Sequence, residues 1–503
     1  MEKQLSFVLK LSLQEMALRK VAINLWNEND ILTSIVNFRI SALPGDDFAD
    51  IILYMEKRGT LNKKLQQIVE DEVKNKVVKL ALPQSLQKQL MRIIKPVGSQ
   101  MLKWKMSFHN EHMIDSPEDF DIDILKQLHW TSVGVVDYQK TAENLVRHEM
   151  LNPHNRYKLA CLYSLVDYIP ELWKELPEES KAIFYSDVVL WSNLELQLSS
   201  YWAYIVTAKE SELCNIFAKR YGEGMSFHQY AFRCAAREGN RATTEYFFQK
   251  LTREERDVHF LRTVRKIIRK GRRYLNKEFL DFAMEKLSDV LSYLLSLMSN
   301  EEKMQVLKEH PCEVLACFLD WPWHDLCLDI ADLIWTFLPK YLYAYLITNI
   351  IDSITYSGGY FPELLQKFFV SSPIDFKVQI VTYEMKFGSL FKHFFDAEDT
   401  ESIEIVFRNI DVKERGILLS CSCFFYHFDS LVMSDKWHLI KACIRAGAPS
   451  KENKDKLKKI YMAFLSRCFS RDISESRKNQ WEMFFELLDT DANALSEKKA
   501  VTK

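Results

Sequence analysis

The chemistry-bearing residues of this chain crowd most closely in HPCEVLACFLDWPWHDLC, which holds His310, Cys312, Cys317, His324 and Cys327. Zinc takes four thiolate or imidazole ligands converging as a tetrahedron, usually delivered by short fixed spacings. The Cys-x4-Cys and His-x2-Cys spacings here match no common zinc module. Cysteine in a reducing compartment also serves as a small buried hydrophobe, so the stretch reads as core and no metal ligand is expected. Gly-rich phosphate loops, His-Glu-x-x-His and Gly-x-Ser-x-Gly do not occur in the sequence, so no catalytic residue and no cofactor is expected.

Positive charge gathers in one place. Arg262, Arg265, Lys266, Arg269, Lys270, Arg272 and Arg273 fall within twelve residues, while Ile267 and Ile268 turn to another side of the same helix. Such a face can bind phosphate backbones or an acidic partner. It can also be a solvated surface beside Glu254, Glu255 and Asp257, and no aromatic residues interleave to stack bases.

What must position these residues is mostly helix. The chain has 503 residues, 48% of them apolar, with 13 glycines and 13 prolines, too few for a protein built on hairpins. Its 67 basic and 69 acidic residues nearly cancel, which gives no global pull toward nucleic acid or anionic lipid. No uninterrupted apolar run reaches the roughly 18 residues of a membrane helix, and the N-terminal stretch carries Lys10, Glu15, Arg19 and Lys20 and no cleavage site. A cytoplasmic or nuclear location with reduced thiols and no membrane partner is expected.

Four regions are predicted: an N-terminal helical region over 1–95, a connector over 96–137 where the pattern loosens into KPVGSQ and DSPEDFDIDI, a helical-repeat region over 138–490, and a frayed tail over 491–503. In the third, helices end on an apolar anchor before a polar break: Leu176, Leu251, Met298, Leu338 and Ile410, with weaker members at Val370, Ala446 and Leu488. From Leu251 onward the anchors stand between 32 and 47 residues apart. Helices of about a dozen residues are marginal alone in water, so units of this size need stacked neighbours. The fold class expected is all-α: degenerate two-helix repeats stacked as an α-solenoid.

The clearest unit, CAAREGNRATTEYFFQKL from Cys234 to Leu251, resembles an ankyrin repeat. It has paired alanines, a break at Gly239, and Phe247 and Phe248 where ankyrin units carry paired leucines. LIKACIRAGAPSKENKD, with Gly447 after its helix, resembles the end of another. Neither has the Thr-Pro-Leu-His opening. The resemblance implies a binding surface and brings no catalytic residues.

SLQEMALRKV, from Ser12 to Val21, resembles the BC-box through which substrate receptors of cullin-RING ubiquitin ligases dock on elongin C. Ser12, Leu13 and Val21 match that box, and Ala17 stands where it has cysteine. Helical spacing puts Leu13, Ala17 and Val21 on one face, which also suits the core side of a first helix. A downstream cullin box is matched by Leu82, Pro83, Leu86 and Leu90 and equally by two later stretches, so that pattern discriminates nothing.

The sequence is read as a non-enzymatic protein-interaction scaffold with an unidentified protein partner. In its sharper form it is a substrate receptor that joins elongin C and a cullin through Leu13, Ala17 and Val21. The competing reading is a nucleic-acid-associated helical-repeat protein that uses the basic helix 262–273.

Overall fold

A computed structural model describes residues 9–37, 67–110, 120–186, 193–221, 225–274, 283–319, 321–356, 362–387, 390–468 and 475–489; side chains at 106–107, 109–110, 271–274, 283–286, 352–356, 386–387 and 468 are left aside. Among the described residues the chain is helical throughout, with one isolated bridge, Trp130 to Val136, and no strand. It divides into two compact units, Met1–Leu326 and Cys327–Lys503. The division falls inside the region read as one repeat domain. The tail at 491–503 lies outside the described residues.

The first unit opens with a helix, Leu13–Trp26, started by a capping box in which Ser12 accepts from the Glu15 amide and the Glu15 carboxylate accepts from the Ser12 amide. Its inner face, Leu18, Ala22, Leu25 and Trp26, is buried and the helix packs on Gln84–Asn110. That second helix runs unbroken through Pro96 and Gly98 to Asn110, inside the first part of the stretch expected as a connector. Proline and glycine read as punctuation when no packing is visible. Here they sit where Trp26 enters the helix: its Nε1 donates to the Ile94 carbonyl at 2.8 Å, close to Gly98, which has no Cβ in the way. Beyond it, Ile122–Lys126 and the bridged turn at Trp130–Val136 carry the chain onward, and residues 111–119 lie outside the described ones.

A local turn recurs in each unit. In the first, Ser164, Ala208 and Gly239 take positive φ of 52°, 55° and 74°, and the following amides of Leu165, Lys209 and Asn240 bond back to the carbonyls of Ala160, Tyr204 and Ala235. In the second, Glu398 and Asp435 take 54° and 56°, with Asp399 and Lys436 bonding to Phe394 and Leu431. A six-to-one bond around a left-handed residue is the Schellman ending of a helix, and it sends the chain straight into the next helix. Asn240 and Asp399 then cap Arg241–Lys250 and Thr400–Arg408. Leu176, Leu251 and Ile410 each fall twelve residues after such a turn and are buried, as are Met298 and Leu338.

One of the weaker anchors stands outside that pattern. Val370 is half exposed because the buried face of Pro362–Ser371 is made by Leu364, Leu365, Phe368 and Phe369.

The core of the second unit is aromatic. Phe391, Phe407 and Phe424 meet with ring centroids between 4.7 and 6.0 Å apart, in tilted and edge-on contacts. Gly447 closes Trp437–Gly447 against this cluster, since a Cβ there would stand 2.7 Å from Leu419 and 3.0 Å from Phe407. Further on, Arg477 clasps Asp429 with two bonds of 3.1 and 2.5 Å, and Trp481 donates to the same carboxylate at 3.1 Å. These bonds tie Glu475–Asp489 to Ser422–Met433 and satisfy a carboxylate that is nearly buried.

Among the described residues no single helix is long and apolar enough to cross a membrane; Val412–Leu419 and Ser422–Met433 pass together only as a pair bent by 64°.

Candidate functional site

The three positions of the BC-box-like stretch share the outer face of Leu13–Trp26. Leu13 is 82% exposed, Ala17 is exposed and Val21 is half-buried. The alternative expectation, that they form the core side of the helix, is corrected: Leu18, Ala22, Leu25 and Trp26 take that side. A helix that buries one stripe against its own protein and leaves Leu13 to solvent on the other can seat a second surface.

The basic helix is Arg253–Tyr274, anchored by Val264, Ile267 and Ile268, which are fully buried. It runs parallel to its neighbour Phe227–Arg237, as three bonds show. Ser226 and Gln229 donate to Glu255 at 2.9 and 2.8 Å near one end, and Lys270 donates to the Arg237 carbonyl at 2.8 Å near the other. The seven cations do not act as one strip. Arg265 forms two 2.9 Å bonds with Glu309, and Lys270 also lies 3.8 Å from Glu238. Arg262, Lys266 and Arg269 have no carboxylate at ion-pair distance among the described residues. The side chains of Arg272 and Arg273 lie outside those described.

Sequence reasoning missed a cavity of about 1190 Å³ in the first unit. Its aromatic walls include Tyr138, Tyr230, Tyr293, Trp321 and Trp323, and its charged groups include Asp137, Glu245, Asp289 and Arg241. Arg241 holds Asp289 at 2.8 Å and lies over the Tyr293 ring, 5.5 Å from its centre. Burial raises the Asp289 pKa; Arg241 opposes that shift, and Asp137 and Glu245 reinforce it. The lining comes from stretches far apart in the chain, among them the ankyrin-like unit from Cys234 onward, and no spacing in the sequence joins them. Only packing brings them together.

No family model matches this chain, and no curated protein matches it.

Three of the described thiols are held protonated by burial. Burial pushes Cys234, at the cavity wall, above its ordinary pKa, and lifts Cys421 to about 11 and Cys327 to about 12, so all three stay protonated near neutrality. Cys312 and Cys317 of the metal-like stretch are buried. Among the described residues no group of three or more His, Cys, Asp or Glu side chains is placed to hold a metal ion.

Proposed function

We propose that this chain is a non-enzymatic protein-interaction scaffold of degenerate ankyrin-like helix pairs, and that it acts as a substrate receptor by docking on elongin C through Leu13–Trp26. The observation that carries the docking step is the exposure of Leu13 and Ala17 on a helix whose opposite face is anchored by Trp26. A groove on an adaptor takes an amphipathic helix by anchors one turn apart, and Leu13, Ala17 and Val21 have that spacing. The scaffold reading is supported by the left-handed turns at Ser164, Ala208, Gly239, Glu398 and Asp435, which repeat the helix–turn–helix geometry of the unit that resembles ankyrin.

The test is co-elution of the purified full-length chain with recombinant elongin B and C on gel filtration, followed by affinity capture with mass spectrometry. A stable complex that Leu13→Asp abolishes is expected. If the unmodified protein elutes apart from the elongins and recovers no cullin, the adaptor role is lost.

A second reading keeps the basic helix for nucleic acid, favoured by Arg262, Lys266 and Arg269, which have no carboxylate at ion-pair distance among the described residues. It calls for binding of single-stranded RNA that weakens steeply with salt.

A further inference from the structure

Among the described residues, two of the basic helix's cations without a carboxylate, Arg262 and Lys266, meet two arginines of the neighbouring helix. Phe227–Arg237 presents Arg233 and Arg237 one turn apart, and the parallel helix Arg253–Tyr274 presents Arg262 and Lys266 one turn apart. The bonds that Ser226 and Gln229 donate to Glu255 and that Lys270 donates to the Arg237 carbonyl fix the register, so the two pairs lie side by side. Among the described residues Arg233 makes one polar contact, to the Met225 sulfur at 3.7 Å. Glu255, the nearest acid of the helix's first turns, is taken up by Ser226, Gln229 and the Thr252 amide. One turn before Arg262 and two before Lys266 sits His259, 8% exposed, whose Nδ1 has no hydrogen-bond partner among the described residues.

We propose that Arg233, Arg262 and Lys266, with Arg237 at the rim, bind the phosphate of a phosphorylated segment in a protein partner. The inference rests on the interaction-scaffold reading and names the chemistry such a partner carries. Four like charges on two helices repel one another when the site is empty. Burial lowers the Lys266 pKa first, and Arg233, Arg262 and Arg237 add to that; burial likewise lowers His259, with Arg233, Arg262 and Lys266 adding to it. A phosphate dianion relieves that repulsion and accepts paired bonds from two guanidinium groups. A polyanion is the poorer fit. It needs a continuous strip, and the strip is interrupted where Glu309 clamps Arg265 and where the end of the neighbouring helix takes Lys270.

Fluorescence anisotropy on the full-length chain tests this with a labelled phosphoserine-centred peptide library, its unphosphorylated twin, a 20-nucleotide single-stranded RNA, and vesicles of phosphatidylcholine with phosphatidylinositol phosphate. The phosphorylated library is expected to bind at least about tenfold tighter than its twin, the gain of one good charge-assisted contact. Inorganic phosphate should compete with it. Arg262→Glu with Lys266→Glu erases the difference, as does the milder Arg262→Gln with Lys266→Gln, while Lys250→Glu on the exposed end of Arg241–Lys250 keeps it. Equal binding of the two libraries, a difference that survives in both double variants, or preference for RNA or vesicles overturns the proposal. No elongin is present, so this result and the adaptor result fail independently.

Discussion

The indole of Trp26 occupies the space that a side chain at position 98 would fill: a Cβ on Gly98 would stand 1.9 Å from Trp26 Cζ2. Trp26 is fully buried and its Nε1 bonds to the Ile94 carbonyl, so the ring has no empty space to move into.

Gly98→Ala therefore sets two effects against each other. Alanine improves helix propensity by about 1 kcal/mol, while displacing a packed indole costs about 2 kcal/mol or more and weakens its hydrogen bond. Destabilisation wins at this site. Gly416, also within a helix, has nothing within 4 Å of an added Cβ, so Gly416→Ala is expected to stabilise by up to about 1 kcal/mol. Urea unfolding of the two variants should shift in opposite directions.

Lys105 gives a pH signature. It is buried against Phe120, and its ammonium donates to the Ile35 and Val36 carbonyls at 2.7 and 3.2 Å, closing the end of Asn29–Val36. Burial lowers its pKa from 10.5 to about 8. In the folded state the proton leaves near pH 8 and in the unfolded state near 10.5, so between those values the unfolded chain binds more protons. Stability contributed by this group rises with pH across that window. Lys105→Met removes the rise, which urea midpoints taken from pH 7 to 10.5 will show.

The recurring left-handed turn explains why the helix pairs were only partly legible. Gly239 announces its turn because glycine adopts positive φ without penalty. Ser164, Ala208 and Glu398 take the same conformation with side chains that do not mark the place, and Asp435 does so with a type only modestly enriched there. The apolar anchors other than Val370 were readable because they end a buried stripe, as Leu251 does. Trp26 inverted the meaning of Pro96 and Gly98: a partner 70 residues away made helix interior out of residues that locally signal a break. The outer face at Leu13 was visible as a stripe, but which stripe faced the core was set by helix Gln84–Asn110. The cavity had no local signal at all.

The same comparison yields a reciprocal pair of variants. At a left-handed position, alanine costs about 1 kcal/mol relative to glycine through contact of its Cβ with the backbone. Gly239→Ala should lower stability by about that amount. Ala208→Gly should raise it by a few tenths, the relief of strain being partly offset by the greater freedom of glycine in the unfolded chain. Thermal unfolding of both variants checks the signs.

Leu13 and Leu18 separate docking from folding on a single helix. Leu13 is 82% exposed and Leu18 is 6% exposed. An aspartate at the first position meets water, so Leu13→Asp should change stability by no more than about 0.5 kcal/mol. Its carboxylate enters the first turn of Leu13–Trp26, where the helix dipole favours it. Leu18→Asp instead places a carboxylate against the inner face that packs on Gln84–Asn110, and a loss of about 3 kcal/mol or more is expected. If Leu13→Asp melts with the unmodified protein yet loses the elongin complex, the outer face is a docking surface. Equal losses of stability in both variants would instead assign Leu13 to the fold, and the exposed stripe would cease to argue for a partner.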